Sequence, residues 1–545
     1  MDHQALADLL FPCVTMTPEE LEEKFPPRAL PEGAVVSRMA PSPTGFVHLG
    51  NLVQGLTSER LTHQSGGVLF LRIEDTDAKR EVEGAVNVLT SALKHYGIEF
   101  DEGATPDGDK GIYEPYTQSQ RRDIYFVYAK KMVAEGKAYP CFCSEERIAA
   151  IREEQEKAGE DNIGYFGKWA ACRDLSFDEV KAHLDAGDPW TLRYRSNGDI
   201  TKKIKFVDLV KGEVELTENI MDFVLLKSDG IPTYHFAHAV DDHLMRTTHV
   251  VRGDEWLPSL PFHIQLFRDL GFRLPKYLHI GPLMKMDGVS KRKLSKRKDP
   301  ELALTYYQAE GFPVEGVYEY ILTILNSNVE EWRAAHPDAD ASSFKFSYKK
   351  MNPAGSLFDY MKLRDVSKNV ISKMPADKVY DLLLAWAKEY DAPFAETLAS
   401  EKDKATAFLS IGRGGKKPRK DIAVWSEVKD YMGYLFTAPE AYEDLSDVRG
   451  TDKATDILSA YAAVYDPTDD NNAWFEKVKS VAGQFGFCTD MKEYRNNPDA
   501  YPGSTADVST LIRVAVTGKK NTPDLSTIMS LIGKDECIRR LKNFA

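Results

Sequence analysis

Several things are scarce in this chain, and each scarcity excludes a class of protein. Cysteine comes first: six thiols spread over 545 residues cannot staple a small secreted scaffold, so reduced cysteines are the default and metal binding is the one special use to weigh. Long apolar runs come second. No stretch approaches the roughly 20 residues that span a bilayer, and the opening MDHQALADLLFPC has no basic segment ahead of an apolar one. A signal peptide is therefore not indicated, and the expectation is a cytoplasmic protein with no membrane partner. Positive charge is the third shortage: the formal charge is −14, so any nucleic-acid contact must come from local clusters of Lys and Arg. Internal repeats and long low-complexity tracts are missing too, which excludes solenoids.

What is present reads as several domains, because a domain typically takes about 100 to 200 residues. Residues 1–33, with TPEELEEKF opening on a Thr cap, predict a short helical extension. From Ala34 to Met39 the pattern is strand-like; Leu49, Leu52 or Val53, Leu56 and Leu61 make a helical stripe that stops at Gly66-Gly67; VLFLRI is a second buried strand. Such a β-α-β unit brings the ends of both strands to one sheet edge, where ligands of open α/β sheets bind. Residues from about 130 to 220 break the rhythm and predict an insertion, whereas beyond Pro300 nearly everything is amphipathic helix.

Two strings carry chemistry. In PSPTGFVHLGN the prolines fix an extended turn, Gly45 and Gly50 let backbone approach a ligand, and His48 stands where a helix begins. A helix N-terminus attracts phosphate, and a histidine there can donate to a phosphate oxygen. In SKRKLSKRKDP, residues 290–300, Lys293, Lys296 and Arg297 crowd a loop around Ser295, just after the apolar YLHIGPLM. Either string alone is more often a shaped turn or a solvated basic face; together they are much more specific.

The pair resembles the HIGH-type and KMSKS-type elements of class I aminoacyl-tRNA synthetases, standing here as HLGN and KLSKR. HLGN departs in its final residue, a change that suits the bacterial glutamyl branch. With FLRIEDTD, SDGIPTYHFAHAVDDHLM and VVRGDEWL, the chain looks like the glutamyl-tRNA synthetases, and the resemblance continues through DVSKNVISKM and LIRVAVTGKKNTPDLSTIMSLIG. It implies an α/β fold: a Rossmann-like, doubly wound parallel-sheet catalytic domain with an inserted α+β domain, followed by an all-helical C-terminal anticodon-binding region. The expected boundaries are 34–130 and 221–315 for the two catalytic halves, 131–220 for an inserted acceptor-stem-binding domain, 316–375 for a helical junction and 376–545 for the anticodon-binding region.

By the same resemblance, glutamate attacks ATP to give glutamyl-adenylate, and the 3′-terminal ribose of tRNA(Glu), or also tRNA(Gln), takes the acyl group. Catalysis falls to His48, Lys293 and Lys296. Glutamate is held by Arg38, Ala40, Ser42, Glu74, Tyr234, His238 and Arg252, where His238 replaces the Asn of some relatives. ATP, with Mg²⁺, is met by His48, Gly50, Glu255, Leu283, Ser295 and Lys296. A fork from Arg252 would accept the side-chain carboxylate and reject glutamine, whose amide sets donor against donor. Structural zinc is implied at Cys141, Cys143 and Cys172, with the fourth ligand open: Lys168 occupies the position where relatives place a Tyr four residues before the last Cys, and Tyr165 stands further upstream. Basic clusters GRGGKKPRK (412–420) and TGKK (517–520) are candidate tRNA contacts. No dimer element is evident, so a monomer is expected. The rivals are a glutaminyl-tRNA synthetase, disfavoured by Arg252, KLSKR and a helical rather than β-barrel C-terminal third, and a non-catalytic tRNA-binding paralogue, disfavoured by the intact site residues.

Overall fold

Strand Val36–Met39, helix Leu49–His63 and strand Val68–Leu71 form the expected β-α-β unit, the strands parallel in the register Val36↔Val68 to Met39↔Leu71. All four residues of the first strand are buried, as a strand covered on both faces requires. The computed structural model describes residues 2–76, 82 and 84–544, so Asp77 of the FLRIEDTD string lies outside the described residues. The chain divides into two compact units, Met1–Leu304 with Ile321–Phe358, and Thr305–Tyr320 with Asp359–Ala545.

In the first unit the sheet continues from Val68–Leu71 to the parallel strand Glu102–Thr105 and then to an antiparallel edge, Gly108–Lys110. On the other side of Val36–Met39 lies His249–Gly253, itself parallel to Lys276–Ile280 with Arg252 opposite His279. The strand order therefore reverses between Val36–Met39 and His249–Gly253, the kind of switch point at which doubly wound sheets bind ligands. The ladder is interrupted there: Thr248 N donates to Val36 O at 2.9 Å, and the side-chain amide of Gln54 donates to Val251 O at 2.9 Å, so a side chain supplies a bond that a neighbouring strand would otherwise make.

The inserted segment is α+β, with antiparallel strands Ala138–Cys141, Thr191–Tyr194 and Val224–Leu226, a hairpin of Lys203–Asp208 and Gly212–Thr217, and helices Glu145–Lys157 and Phe177–Asp185. The N-terminal extension is helical as expected, and Thr17 and Glu20 close a reciprocal capping box on helix Pro18–Lys24. It is tied down by the Arg28 fork, which meets both Glu102 oxygens at 2.7 and 2.9 Å.

The second unit contains no strand among its described residues. Its helices enclose two apolar clusters, one around Val379, Leu383, Phe408 and Val428, the other around Ile457, Tyr461, Val478 and Leu511. No helix among the described residues is long and apolar enough to cross a membrane.

Candidate active site

His48 is the N-cap of helix Leu49–His63. Its Nδ1 accepts from Asn51 N at 3.2 Å, while Asn51 Oδ1 accepts from His48 N at 3.0 Å. An imidazole that accepts at Nδ1 carries its proton on Nε2, so the cap fixes the tautomer and leaves an N–H donor free. Burial holds the ring neutral, helped by the Lys293 charge and opposed by Glu255. Gly50 makes this geometry possible: a Cβ there would lie 2.9 Å from both Cε1 and Nδ1 of the imidazole. The glycine two residues after the histidine is thus a seat for the ring, and His48 and Asn51 close the capping box between them.

The basic loop meets the histidine turn. Leu304 N donates to Val47 O at 3.3 Å, and His48 forms an isolated antiparallel bridge with Ala303. Lys296 Nζ sits 3.9 Å from the centre of the Phe46 ring, a cation–π contact that places its charge beside the turn. Asp299 organises the loop from beneath: its carboxylate takes the Arg292 fork at 2.6 and 2.7 Å and Ser295 N at 2.8 Å, and these contacts hold it well below the usual carboxylate range. Among the described residues, neither Lys293 nor Lys296 has a carboxylate within ion-pair distance. Their ammonium groups remain available to a ligand.

A cavity of about 260 Å³ lies between these parts, lined by His48, Gly50, Arg252, Glu255, Leu283 and Lys293 among others. Ser295 and Lys296 flank it without lining it. Gly253 allows the Glu255 carboxylate to fold back against the backbone, since a Cβ there would stand 2.2 Å from Oε2.

Arg252 is 4% exposed, yet among the described residues no carboxylate reaches it. Nε donates to His279 Nε2 at 3.0 Å, the terminal nitrogens approach Tyr234 Oη at 3.2 Å and His263 Nδ1 at 3.3 Å, and the guanidinium lies 4.7 Å from the centre of the Tyr277 ring. Both imidazoles are acceptors here, so both are neutral; burial depresses His263 and His279. A buried guanidinium surrounded only by neutral partners is an incomplete ion pair, and its desolvation cost is offset only when an anion arrives.

Arg38 is equally buried but paired: its Nε donates to Asp242 at 3.0 Å, and Arg72 donates to the same carboxylate at 2.7 Å and to Glu74 Oε1 at 3.1 Å. Glu74 is pushed up by burial against the pull of Arg72 and Arg38, so an incoming ammonium would favour its ionised form. Glu74 N donates to Pro41 O at 3.0 Å, which sets the carboxyl beside the turn that carries Ala40 and Ser42. His238 Nδ1 lies 2.5 Å from Asp242, and its Nε2 is 2.9 Å from Tyr277 Oη. His238 is wholly buried, its ring stacked at 5.6 Å on Tyr234.

In the inserted segment, Cys141, Cys143 and Cys172 gather with all sulfurs within 4.8 Å of one another, Cys143 Sγ lying 3.6 Å from Cys172 Sγ. The open fourth position has an occupant. Tyr165 Oη is 3.4 Å from both Cys141 Sγ and Cys143 Sγ, whereas Lys168 points outward and pairs with Glu160 at 2.9 Å. Hydrogen bonds with Cys143 and Cys172 pull the Cys141 thiol down, while those with Cys141 and Cys172 push Cys143 up.

The histidine cap, the basic loop bonded to its turn and the buried Arg252 stand together at the sheet's switch point, within a stretch of chain that matches the class I synthetase catalytic domains. Residues 34–362 match the family described as tRNA synthetases class I (E and Q), catalytic domain, and residues 504–545 match an anticodon binding domain. The chain is 48% identical over 544 residues to a glutamate–tRNA ligase of Acetivibrio thermocellus, covering 99% of this chain and all of that one, and 48% identical over 550 residues to one of Clostridium perfringens, covering both in full. A crystal structure of a glutamate tRNA ligase from Elizabethkingia meningosepticum in complex with its amino acid has a TM-score of 0.74 at 26% identity, covering 93% of this chain and 98% of that one. The chain belongs to the glutamate–tRNA ligases.

Proposed function

We propose that this enzyme joins L-glutamate to the 3′ end of tRNA(Glu) in two steps, with the site residues in the roles the geometry suits. An α-carboxylate oxygen of glutamate attacks the α-phosphorus of ATP; the bond to the bridging oxygen breaks and pyrophosphate leaves. A terminal ribose hydroxyl of tRNA then attacks the acyl carbon and AMP leaves. No covalent enzyme intermediate is needed, so positioning and charge stabilisation carry the catalysis.

His48 donates its Nε2 proton to an α-phosphate oxygen, and Lys293 and Lys296 take up the charge that grows on the leaving phosphates. Gly50, Glu255, Leu283 and Ser295 frame the nucleotide. Mg²⁺ would supply further charge neutralisation, with Glu255 the one carboxylate among the described residues that line the cavity. Glu74 pairs with the substrate ammonium, Arg38 with its α-carboxylate, and Tyr234 and Arg252 with the side-chain carboxylate; Ala40, Ser42 and His238 shape the wall. The observation that carries the reading is Arg252, a buried cation with neutral partners only, beside the cavity that holds His48 and Lys293.

Zinc fits the cysteine cluster. A tetrahedral Zn–S length of about 2.3 Å puts sulfurs roughly 3.8 Å apart, close to the 3.6 Å between Cys143 and Cys172, and Tyr165 Oη completes an S₃O donor set. We place the enzyme in the cytoplasm as a monomer, with the 412–420 and 517–520 clusters on tRNA phosphates; light scattering tests the monomer.

Pyrophosphate exchange with glutamate, ATP and tRNA tests the core reading, and exchange is expected with glutamate. Exchange with glutamine instead would transfer the chain to the glutaminyl reading, and none with any amino acid would favour a tRNA-binding paralogue. Separate tRNA(Glu) and tRNA(Gln) transcripts decide whether both are charged.

A further inference from the structure

We infer that Asp208, on the hairpin of the inserted segment, works through His279 as a positioning residue that fixes the orientation of Arg252 and thereby the choice of glutamate over glutamine. This rests on the proposed role of Arg252.

The chain of contacts is short and closed. Asp208 Oδ1 accepts from Val210 N and Lys211 N at 2.9 and 2.8 Å. Its Oδ2 lies 2.7 Å from His279 Nδ1 and 3.2 Å from His279 N. Both side chains are wholly buried. An ionised carboxylate only accepts, so Nδ1 of His279 carries the proton and Nε2 is left as a lone pair. That lone pair takes Arg252 Nε–H at 3.0 Å. Nε carries the single N–H of the guanidinium, so anchoring it fixes the plane of the two terminal nitrogens, which both lie 3.3 Å from His263 Nδ1, one of them also 3.2 Å from Tyr234 Oη. Parallel pairing of His249–Gly253 with Lys276–Ile280 sets Arg252 opposite His279; the hairpin turn sets Asp208 on the far side. Arg252 is thus aimed by a carboxylate it never touches, which leaves its own charge uncompensated for the substrate.

Asp208→Asn tests this with little change of shape. The two turn amides require an acceptor at Oδ1, so the amide NH₂ falls where Oδ2 stood and donates to His279 Nδ1. The imidazole must then carry its proton on Nε2, facing Arg252 Nε–H donor to donor. The expected result is a rise in KM for glutamate of roughly tenfold to a hundredfold, the range of one hydrogen bond to a charged group, a lower glutamate-to-glutamine ratio of kcat/KM, and a KM for ATP within about twofold of the parent. His279→Gln offers Arg252 a carbonyl acceptor that has no tautomer, so adding Asp208→Asn to it should change KM for glutamate by less than about threefold. An Asp208→Asn enzyme with unchanged glutamate KM and selectivity overturns the inference. So does one whose glutamate KM, ATP KM and melting temperature all worsen together. Arg252→Ala separates the two levels: if it leaves the glutamate KM unmoved, the pocket reading fails; if it raises KM while Asp208→Asn does not, only this inference fails.

Discussion

Gly50→Ala isolates the cost of misplacing one imidazole. A methyl at residue 50 would stand 2.9 Å from Cε1 and Nδ1 of His48, whereas carbon atoms in contact settle at about 3.5–4.0 Å. The ring must retreat by roughly 0.6–1 Å. Nδ1 already accepts from Asn51 N at 3.2 Å, so that retreat breaks the cap, a loss of about 1 kcal/mol. Alanine in place of glycine favours the helix by about the same amount. The two effects offset, and the melting temperature should move by no more than about 3 °C. Activity has no such compensation, because a displacement near 1 Å at the reacting centre costs roughly a hundredfold. Pyrophosphate exchange under saturating ATP and glutamate should fall by about that factor. In a His48→Ala background the same substitution should do nothing further, since the group it displaces is gone. Exchange within about threefold of the parent, with the melt unchanged, would refute the reasoning.

The Glu74 carboxyl is pushed up by burial, so it protonates at a higher pH than an ordinary glutamic acid, which titrates near 4.3. Its ionised form holds the ammonium; KM for glutamate should therefore climb on acidification from above that pH, and Glu74→Gln should flatten the profile, while equal profiles for the two proteins would count against the role. Metal analysis of the purified chain should find about one zinc per molecule, lost in Cys172→Ser and more readily stripped by a chelator in Tyr165→Phe; a folded, metal-free chain purified in the presence of zinc would exclude the site. His63 is raised to about 9, first by its bond to Glu59 and then by Asp101. Raised above its unfolded value near 6.5, it contributes fully below that pH and its contribution is lost as pH rises through about 9; because the ring is half-exposed the magnitude is at most about 1 kcal/mol. The stability gap between parent and His63→Gln should close by pH 10, and a gap that widens instead would contradict this sign.

The parts legible in the sequence are those governed by local pattern. A strand-like run from Ala34 to Met39, a helical stripe from Leu49 and a Thr-x-x-Glu box at Thr17 each depend on neighbours a few residues away, and the structure forms a strand at Val36–Met39, a helix from Leu49 and the box at Thr17. Long-range pairing leaves no such trace. Nothing near DLVKG says that Asp208 will face a histidine on another strand, and nothing near Tyr165 says that its hydroxyl will reach the thiols of Cys141 and Cys143 and the backbone N of Cys172, because the loop from Gly164 to Cys172 takes a path that residue counting against relatives cannot follow. Gly50 shows a third case: its place at the helix start is legible, but the close fit of the His48 ring against its Cα is visible only in the fold.

The two ends of the site keep their cations in opposite conditions, and the difference follows from what each must do. Lys293 and Lys296 are exposed, so their ammonium groups are hydrated and screened over about 10 Å in 0.1 M salt. In the proposed role, such charges can follow phosphates as they change from triphosphate to pyrophosphate without a single strong contact to break. Arg38 and Arg252 are buried at 2% and 4% exposure, where solvent cannot screen a mismatch. Rejecting glutamine demands that condition: in water, a guanidinium facing an amide would be satisfied by solvent, but within this cage it keeps an unpaired charge. On the proposed roles, selectivity depends on the buried arginines at the ends of strands Val36–Met39 and His249–Gly253, while turnover depends on the exposed lysines of the loop bonded to the His48 turn.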